Sequence, residues 1–284
     1  MAVKRWLRKR GYDVRALRVD DLDLYRRLYD AESVDGKRFY NVGAGGFRHP
    51  AWTNVDHESV WYGDSQINIE WDLLALGPFP IPDASAEIVY TSHTIEHVTD
   101  AAVANLFRES HRALKPGGTL RVTAPNVLLD YRAYRDGDRD HFRHYIDRYS
   151  IDGLWQPLYN APLAKASIQQ LFLNRFACSA STLHVDGAPE RVSDEEVDRL
   201  FSGGPSAAAF DSCIAKCSLD VQRRFPGNHI NWWSPEKVER FLREAGFDDI
   251  ALSAYGQSRA AVLRNTDYFD NTHPPLSLYV EARK

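Results

Sequence analysis

The chain contains 284 residues, of which 44% are hydrophobic and 26% are charged, and its formal net charge at pH 7 is −4. This length can bury a large core, either as one big domain or as one domain with an elaborate insertion. The mildly acidic balance disfavours general nucleic-acid binding, which usually requires a basic face.

The N terminus and the cysteines predict where the protein resides. The first ten residues, MAVKRWLRKR, are basic but lack the apolar core of a signal peptide, and no later window is long and apolar enough to span a bilayer. We expect a solvated basic arm, with contact to a membrane surface as the alternative. Cys178, Cys213 and Cys217 form no disulfide framework and suit a reducing compartment, so a cytoplasmic location is predicted.

The first half of the chain alternates strands with helices or loops. Residues 1–35 are predicted to form a helical N-terminal arm, because DDLDLYRRLYDAES has apolar residues at helical spacing. Four strands follow, in RFYNV, WTNVD, INIEW and EIVYTS. Asp100 is expected to cap the next helix, which ends at KPGG, and TLRVTAP forms the fifth strand. Too few residues separate GAGG from WTNVD for a crossover helix, so that connection should be a compact loop.

The alternation stops after the fifth strand. Residues 127–228 are aromatic, charged and irregular, and a segment of this length is predicted to form a helical cap. The pattern returns in residues 229–284, where Ser234 caps a helix that begins at Pro235 and is closed by Gly246, and where DIALSA and LSLYVEARK form the last strands. The predicted fold is α/β: a seven-stranded, mostly parallel, Rossmann-like sheet with a helical insertion after strand five.

Polar and glycine residues mark the ends of three successive strands. The turn Gly43-Ala44-Gly45-Gly46 follows the first strand, where backbone N–H groups can approach a ligand closely. Arg48 occupies the place of the third glycine of the nicotinamide fingerprint, which disfavours a dinucleotide site. Asp56 ends the second strand, where a carboxylate can accept both hydroxyls of a ribose, and Asp72 follows the third, within reach of an adenine amino group. Either aspartate could instead be a solvated or capping residue.

Taken in order, the motifs resemble class I S-adenosylmethionine-dependent methyltransferases of the type 11-like group, whose fourth strand ends in a Glu-His-Val loop. The resemblance rests on NVGAGG, NVD, WDLLALGPFPIPDASAEIVYTSHTIEHV, LFRESHRALKPGGTLRVTAPN and WWSPEKVERFLREAGF, roughly residues 36–126 and 229–284. It implies that 36–126 is the cofactor-binding half of the sheet, 127–228 the substrate region, and 229–284 the C-terminal helix and last strands.

The resemblance also implies S-adenosyl-L-methionine as cofactor, bound by Asn41, Gly43, Ala44, Gly45, Asp56, Asp72, Leu73, Ser92 and His93. The glycine motif departs from the usual pattern in two places. Asn41 stands where an acidic residue is common, and Phe47 replaces the last glycine. These departures change the groups that are available to hold the methionine amino group.

The letters His-x-x-Glu-His, formed by His93, Glu96 and His97, also match the zinc signature of one metalloprotease class. That signature requires both histidines on one regular helix, whereas here they directly follow the strand EIVYTS and precede Asp100. In the family resembled, this loop passes beside the methyl group. We therefore expect no metal, and a metal-dependent hydrolase is kept only as a third alternative.

Two histidines are candidates for catalysis. His97 would lie beside the methyl group, and His229 lies where the insertion rejoins the sheet; histidine suits proton removal near neutral pH. Either could instead shape the backbone or lie in the core. His141 and His144, in DRDHFRHY, are more typical of a solvated helix face.

The sequence predicts the acceptor only by class. GAGGFRHPAWTNVD resembles methyltransferases of surface-polysaccharide biosynthesis, so the expected partner is a small polar molecule, with a saccharide or sugar-linked hydroxyl favoured over a small metabolite or amine. Tyrosine, tryptophan and phenylalanine in the insertion would suit stacking on a sugar. The rival hypothesis is a methyltransferase fold that has lost activity and serves as a binding or scaffold protein.

Overall fold

The computed structural model describes residues 21–58, 67–143, 146 and 159–284. The predicted basic arm MAVKRWLRKR and His144 lie outside these described residues. Within them, no helix is long and apolar enough to cross a membrane.

The described strands form one seven-stranded sheet, which confirms the predicted fold class. The strands are β1 (Phe39–Val42), β2 (Trp52–Asp56), β3 (Ile69–Glu70), β4 (Ala86–Ser92), β5 (Leu114–Pro125), β6 (Asp249–Leu252) and β7 (Ser277–Arg283). Their order is β3-β2-β1-β4-β5-β7-β6. The first five are parallel, and β7 runs antiparallel to both β5 and β6. β3 is shorter than INIEW predicts, and β5 begins earlier than TLRVTAP.

The centre of the sheet is buried on both faces. All four residues of β1 are buried, as expected for a central parallel strand whose two faces are both covered. β1 pairs with β2 on one side and with β4 on the other. This change of direction opens a crevice beyond the carboxyl ends of the strands, where open α/β sheets bind ligands.

Short helices at the N-terminal end of the described chain pack against one face of the sheet. They are α1 (Leu22–Leu28) and α2 (Ala31–Asp35). Tyr25 is fully buried beside Phe39, and its hydroxyl accepts a hydrogen bond from Trp52 Nε1 at 2.7 Å. Tyr25, which belongs to the helically spaced apolar residues of this segment, therefore packs into the protein interior.

Two helices flank the sheet as the sequence predicts, with one correction. α3 (Asp100–Ala113) is capped by Thr99, whose hydroxyl accepts from Ala102 N at 3.3 Å, and not by Asp100. Asp100 instead lies in the first turn, and its carboxylate contacts Lys237 Nζ at 2.8 Å. This pair joins α3 to the C-terminal helix described next.

The C-terminal helix has the predicted ends. It runs from Pro235 to Glu244, with Ser234 as its N-cap, and Gly246 follows in a left-handed conformation at φ +100°. The connection from β1 to β2 contains no helix in its described residues 43–51, as its length requires.

The insertion after β5 is helical in its described part and has its own core. Its helices are α4 (Val127–Asp136), α5 (Ile168–Leu173), α6 (Asp194–Phe201), α7 (Ala207–Ile214) and α8 (Leu219–Arg224), and the C-terminal helix is α9 (Pro235–Glu244). Phe172, Phe201 and Phe210 pack edge to face in the centre of the insertion. Because its end returns to the sheet beside the β4–α3 loop, Ile230 N donates to Glu96 O at 2.9 Å.

Candidate active site

A cavity of about 820 Å³ lies at the carboxyl ends of the central strands. Its size suits a cofactor together with part of a small substrate. Eight of the nine predicted cofactor-binding residues line it: Gly43, Ala44, Gly45, Asp56, Asp72, Leu73, Ser92 and His93. His97 also lines it. Asn41 and His229 are absent from the residues described as lining it.

The glycine turn fits the close approach of a ligand. Gly43 has φ +71°, and a Cβ placed there would lie 2.1 Å from Thr94 Oγ1. Gly45 has φ +50° and no atom near its absent side chain, so its backbone borders open space. A side chain at position 43 would therefore displace the β4–α3 loop, whereas the space beside Gly45 is left for a ligand.

Two aspartates hold fixed positions on the cavity wall. Asp56 accepts hydrogen bonds from Gly45 N at 2.7 Å and from His57 N at 2.8 Å, which orients its carboxylate. Asp72 accepts from Leu74 N at 2.9 Å and so caps the short 3-10 helix Leu73–Ala75. Asp72 therefore is a capping residue, as one alternative had it, and it also lines the cavity.

Asn41 lies in β1 and is 4% exposed. Its Oδ1 is buried and has no hydrogen-bond partner among the described residues. Asn41 Oδ1 is therefore a hydrogen-bond acceptor without a donor close to the glycine turn, although Asn41 is not among the residues that line the cavity.

The His-x-x-Glu-His letters do not form one helix. Ser92 ends β4, His93 has φ +52°, and a 3-10 helix covers Ile95–His97 before α3 begins. His93 Nε2 lies 2.8 Å from Ser277 Oγ, and its Nδ1 lies 3.2 Å from Glu96 Oε1. The metalloprotease geometry, with both histidines on one helical face, is therefore not formed.

His97 and His229 come together although one precedes the insertion and the other follows it. Their rings are 4.9 Å apart and nearly perpendicular. His97 Nδ1 lies 2.9 Å from Asn228 O, and His229 Nδ1 lies 2.7 Å from Arg175 O. A carbonyl only accepts, so each Nδ1 has the hydrogen, and in the neutral ring Nε2 has the lone pair.

Burial determines the charges behind the cavity wall. Desolvation, assisted by the neighbouring His97, lowers the pKa of His229 to about 3, which keeps it neutral near pH 7. Burial alone would raise the pKa of Glu96. The contact from His93 Nδ1 and the nearby histidines outweigh that effect and lower the pKa to about 2, so Glu96 is ionised.

Several residues on the cavity wall are missing from the sequence prediction. His57 and Glu58 directly follow Asp56, so the strand-end rule that selected Asp56 could have found them. Others come from the insertion and the C-terminal region and had no motif to mark them: Gln222, Arg223, Arg224, Pro226 and Thr272.

Comparison with known proteins agrees with this arrangement. The family described as "Methyltransferase domain" matches residues 54–122, from within β2 to within β5. No curated protein sequence matches the chain at a significant level.

Solved structures of methyltransferases resemble the chain over most of its length. An S-adenosylmethionine-dependent methyltransferase from Mesorhizobium loti is 16% identical, with 93% of this chain and 96% of that chain covered and a TM-score of 0.39. One from Archaeoglobus fulgidus is 12% identical, with 93% and 92% covered and a TM-score of 0.39. A possible histamine N-methyltransferase from Thermotoga maritima is 13% identical, with 93% and 96% covered and a TM-score of 0.41.

Residues 54–122 thus match a methyltransferase domain, and they lie within a seven-stranded, mostly parallel, Rossmann-like sheet of the predicted kind. S-adenosyl-L-methionine is its cofactor, as the sequence predicts. The site fits this cofactor, because the glycine turn borders open space and a fixed carboxylate lies beside it.

Proposed function

We propose that this protein transfers a methyl group from S-adenosyl-L-methionine to a hydroxyl of a small polar acceptor, a saccharide or sugar-linked metabolite. The observation that supports an oxygen acceptor is His97, a histidine with a fixed tautomer on the wall of the cofactor cavity. A hydroxyl gains more than an amine from such a base, because a neutral amine is already a good nucleophile and can release its proton after the methyl group has been transferred.

The cofactor would be held by the residues that the sequence predicts. Gly43, Ala44 and Gly45 would approach it through their backbone, and Asp56 would accept both ribose hydroxyls. Asp72 and Leu73 would border the adenine, and Ser92 and His93 the methionine portion. Asn41, in β1 behind the glycine turn, would complete the set of cofactor-binding residues.

When bound, the cofactor supplies a methyl group on a sulfonium. The acceptor attacks the methyl carbon in line with the carbon–sulfur bond, and the sulfur is the leaving group. The protein's main contribution is to hold the acceptor oxygen at about 3 Å from the reacting carbon. His97 Nε2 would take the acceptor proton. His229 is behind His97 and would act as a positioning residue that fixes the orientation of that ring.

Polar side chains at the cavity support a saccharide acceptor. Arg223 and Thr272 are exposed there, and they offer guanidinium donors and a hydroxyl that can donate or accept. Trp71 also lines the cavity but is stacked on Phe79, with ring centroids 4.6 Å apart. The other described tryptophans, Trp52, Trp232 and Trp233, are buried core residues, so they are not placed to stack on a sugar.

The cofactor site is tested first by calorimetric titration of S-adenosylhomocysteine. We expect micromolar binding, about −8 kcal/mol. Asp56→Ala should weaken it by about 10- to 100-fold, since hydrogen bonds to a charged group contribute about 1.5–3 kcal/mol. Asp248→Ala, at an exposed position outside the cavity lining, should bind as wild type does.

The acceptor is tested by screening monosaccharides, nucleotide sugars, phenols and amines for production of S-adenosylhomocysteine, followed by mapping of the methylated atom. Turnover with a sugar hydroxyl supports the proposal, and methylation of nitrogen alone would contradict it. Tight cofactor binding without turnover on any acceptor would favour the scaffold hypothesis.

A further inference from the structure

The fold brings together three metal-ligating side chains that the sequence keeps apart. Glu96 and His97 lie on the β4–α3 loop, and His229 lies where the insertion rejoins the sheet. One ligand atom of each lies within 4.8 Å of the others. This cluster differs from the His93, Glu96 and His97 set of the metalloprotease signature, because His229 takes the place of His93.

Both histidines have the tautomer that metal binding requires. Each Nδ1 donates to a backbone carbonyl, of Asn228 for His97 and of Arg175 for His229. Histidines that bind metals commonly donate their other N–H to a carbonyl or carboxylate, which fixes the ring and leaves a lone pair for the ion. With each Nδ1 held by a backbone carbonyl, Nε2 is the nitrogen of each ring that remains available to an ion.

The third ligand is a buried carboxylate that lacks an adequate partner. Glu96 is 1% exposed, and neither carboxylate oxygen has a hydrogen-bond partner of normal geometry among the described residues. His97 Nε2 lies 3.8 Å from Oε1, beyond hydrogen-bonding distance, so it leaves that oxygen unsatisfied. Buried carboxylates are costly unless they are paired or coordinate a metal, and a cation between these atoms would satisfy the carboxylate.

We propose that Glu96, His97 and His229 bind one divalent transition-metal ion. Two imidazoles and one carboxylate are a set used for zinc and for non-haem iron(II). Ligands at about 2.1 Å from one ion in a tetrahedral site are about 3.4 Å apart, so the side chains would close by about an ångström. His93, whose Nδ1 contacts Glu96 Oε1, would hold the carboxylate from outside the ligand set.

Such an ion would have open coordination positions, since the protein supplies three ligands. His97 lines the cavity, so an open position would face the acceptor. A His97 bound to metal cannot take a proton, which confines the role of His97 as a base to the metal-free protein. Metal binding itself does not depend on the proposed methyl transfer.

The test is titration of the full-length, chelator-treated protein with Co²⁺, followed by visible absorption and calorimetry. We expect one equivalent to bind, a rise in Tm, and X-ray absorption of the wild type showing two imidazoles per ion. Glu96→Gln, His97→Gln and His229→Gln should each weaken binding by at least about 100-fold. Removal of an outer partner alone typically costs 10- to 100-fold.

His111→Gln is the matched control, because His111 is half-buried on α3 and outside the cluster. Wild-type protein that is folded but binds no stoichiometric Co²⁺ would overturn the proposal. So would a bound ion without imidazole ligands, a result that needs no variant and holds even if Glu96→Gln fails to fold. Neither readout uses an acceptor, so failure of the metal site is distinguishable from failure of the methyltransferase proposal.

Discussion

The two sides of the cavity differ in how their chemistry is encoded. The sheet side, residues 43–93, presents backbone groups and strand-end aspartates whose positions follow from local sequence. The insertion side contributes Gln222–Pro226 and the carbonyls of Arg175 and Asn228, which no motif marks. Under the proposed function, cofactor recognition would therefore depend on strand ends, whereas the chemistry next to the acceptor would depend on where a long insertion returns to the sheet.

His97 is where the two sides meet, and its replacement should have the largest effect. His97→Asn is expected to lower kcat by about 10²- to 10⁴-fold, the usual contribution of a general base, while S-adenosylhomocysteine affinity stays near wild type. Steady-state kinetics on metal-free and metal-loaded protein would measure this. Near-normal turnover would mean that positioning alone accounts for catalysis.

The sheet side of the cavity is tested at Gly43, which packs closely against Thr94. Gly43→Ala should lower S-adenosylhomocysteine affinity by about 100-fold or more, because the added Cβ would overlap Thr94 and displace the loop. A left-handed backbone also disfavours alanine, at a cost of about 1–3 kcal/mol. Calorimetry and thermal unfolding would measure the two effects.

Gly46→Ala provides the control, since a Cβ there has nothing within 4 Å and the backbone is not left-handed. Equal behaviour of the two variants would show that the turn does not depend on the close packing of Gly43 against Thr94.

His229 tests the insertion side through pH. Its folded pKa of about 3 is below the ordinary 6.5, so the unfolded chain binds more protons between these values. Stability should therefore fall as pH decreases from about 6.5 towards 3, by up to about 1.4 kcal/mol per pH unit from this group. Urea unfolding of metal-free protein at pH 7.5 and 5.5 should show a smaller drop for His229→Gln than for wild type. An identical drop in both would mean that His229 titrates normally.

Arg223 is expected to give the smallest effect. It is exposed at the cavity and has no ion-pair partner among the described residues. Arg223→Ala should raise the acceptor KM by about 3- to 10-fold without changing cofactor affinity, as loss of one exposed hydrogen bond implies. Arg199→Ala, exposed on α6 and outside the cavity lining, is the control. A change in cofactor affinity would assign Arg223 to the sheet side of the site.

The sequence by itself determined the seven strands of the mostly parallel sheet, the glycine turn and the two strand-end aspartates. These follow from hydrophobic periodicity and from the rule that parallel strands end at one edge, so short segments suffice. Thr99 as the helix cap was missed because two adjacent residues, Thr99 and Asp100, both suit that position.

Only the tertiary structure decided which residues surround His97. The sequence grouped His97 with its neighbour His93, yet His93 turns toward Ser277 while His229 approaches from the far end of the insertion. Spacing along the chain specifies neighbours within one helix or strand. Contacts across an insertion of this length depend instead on how its core packs and where its end returns, which no local pattern encodes.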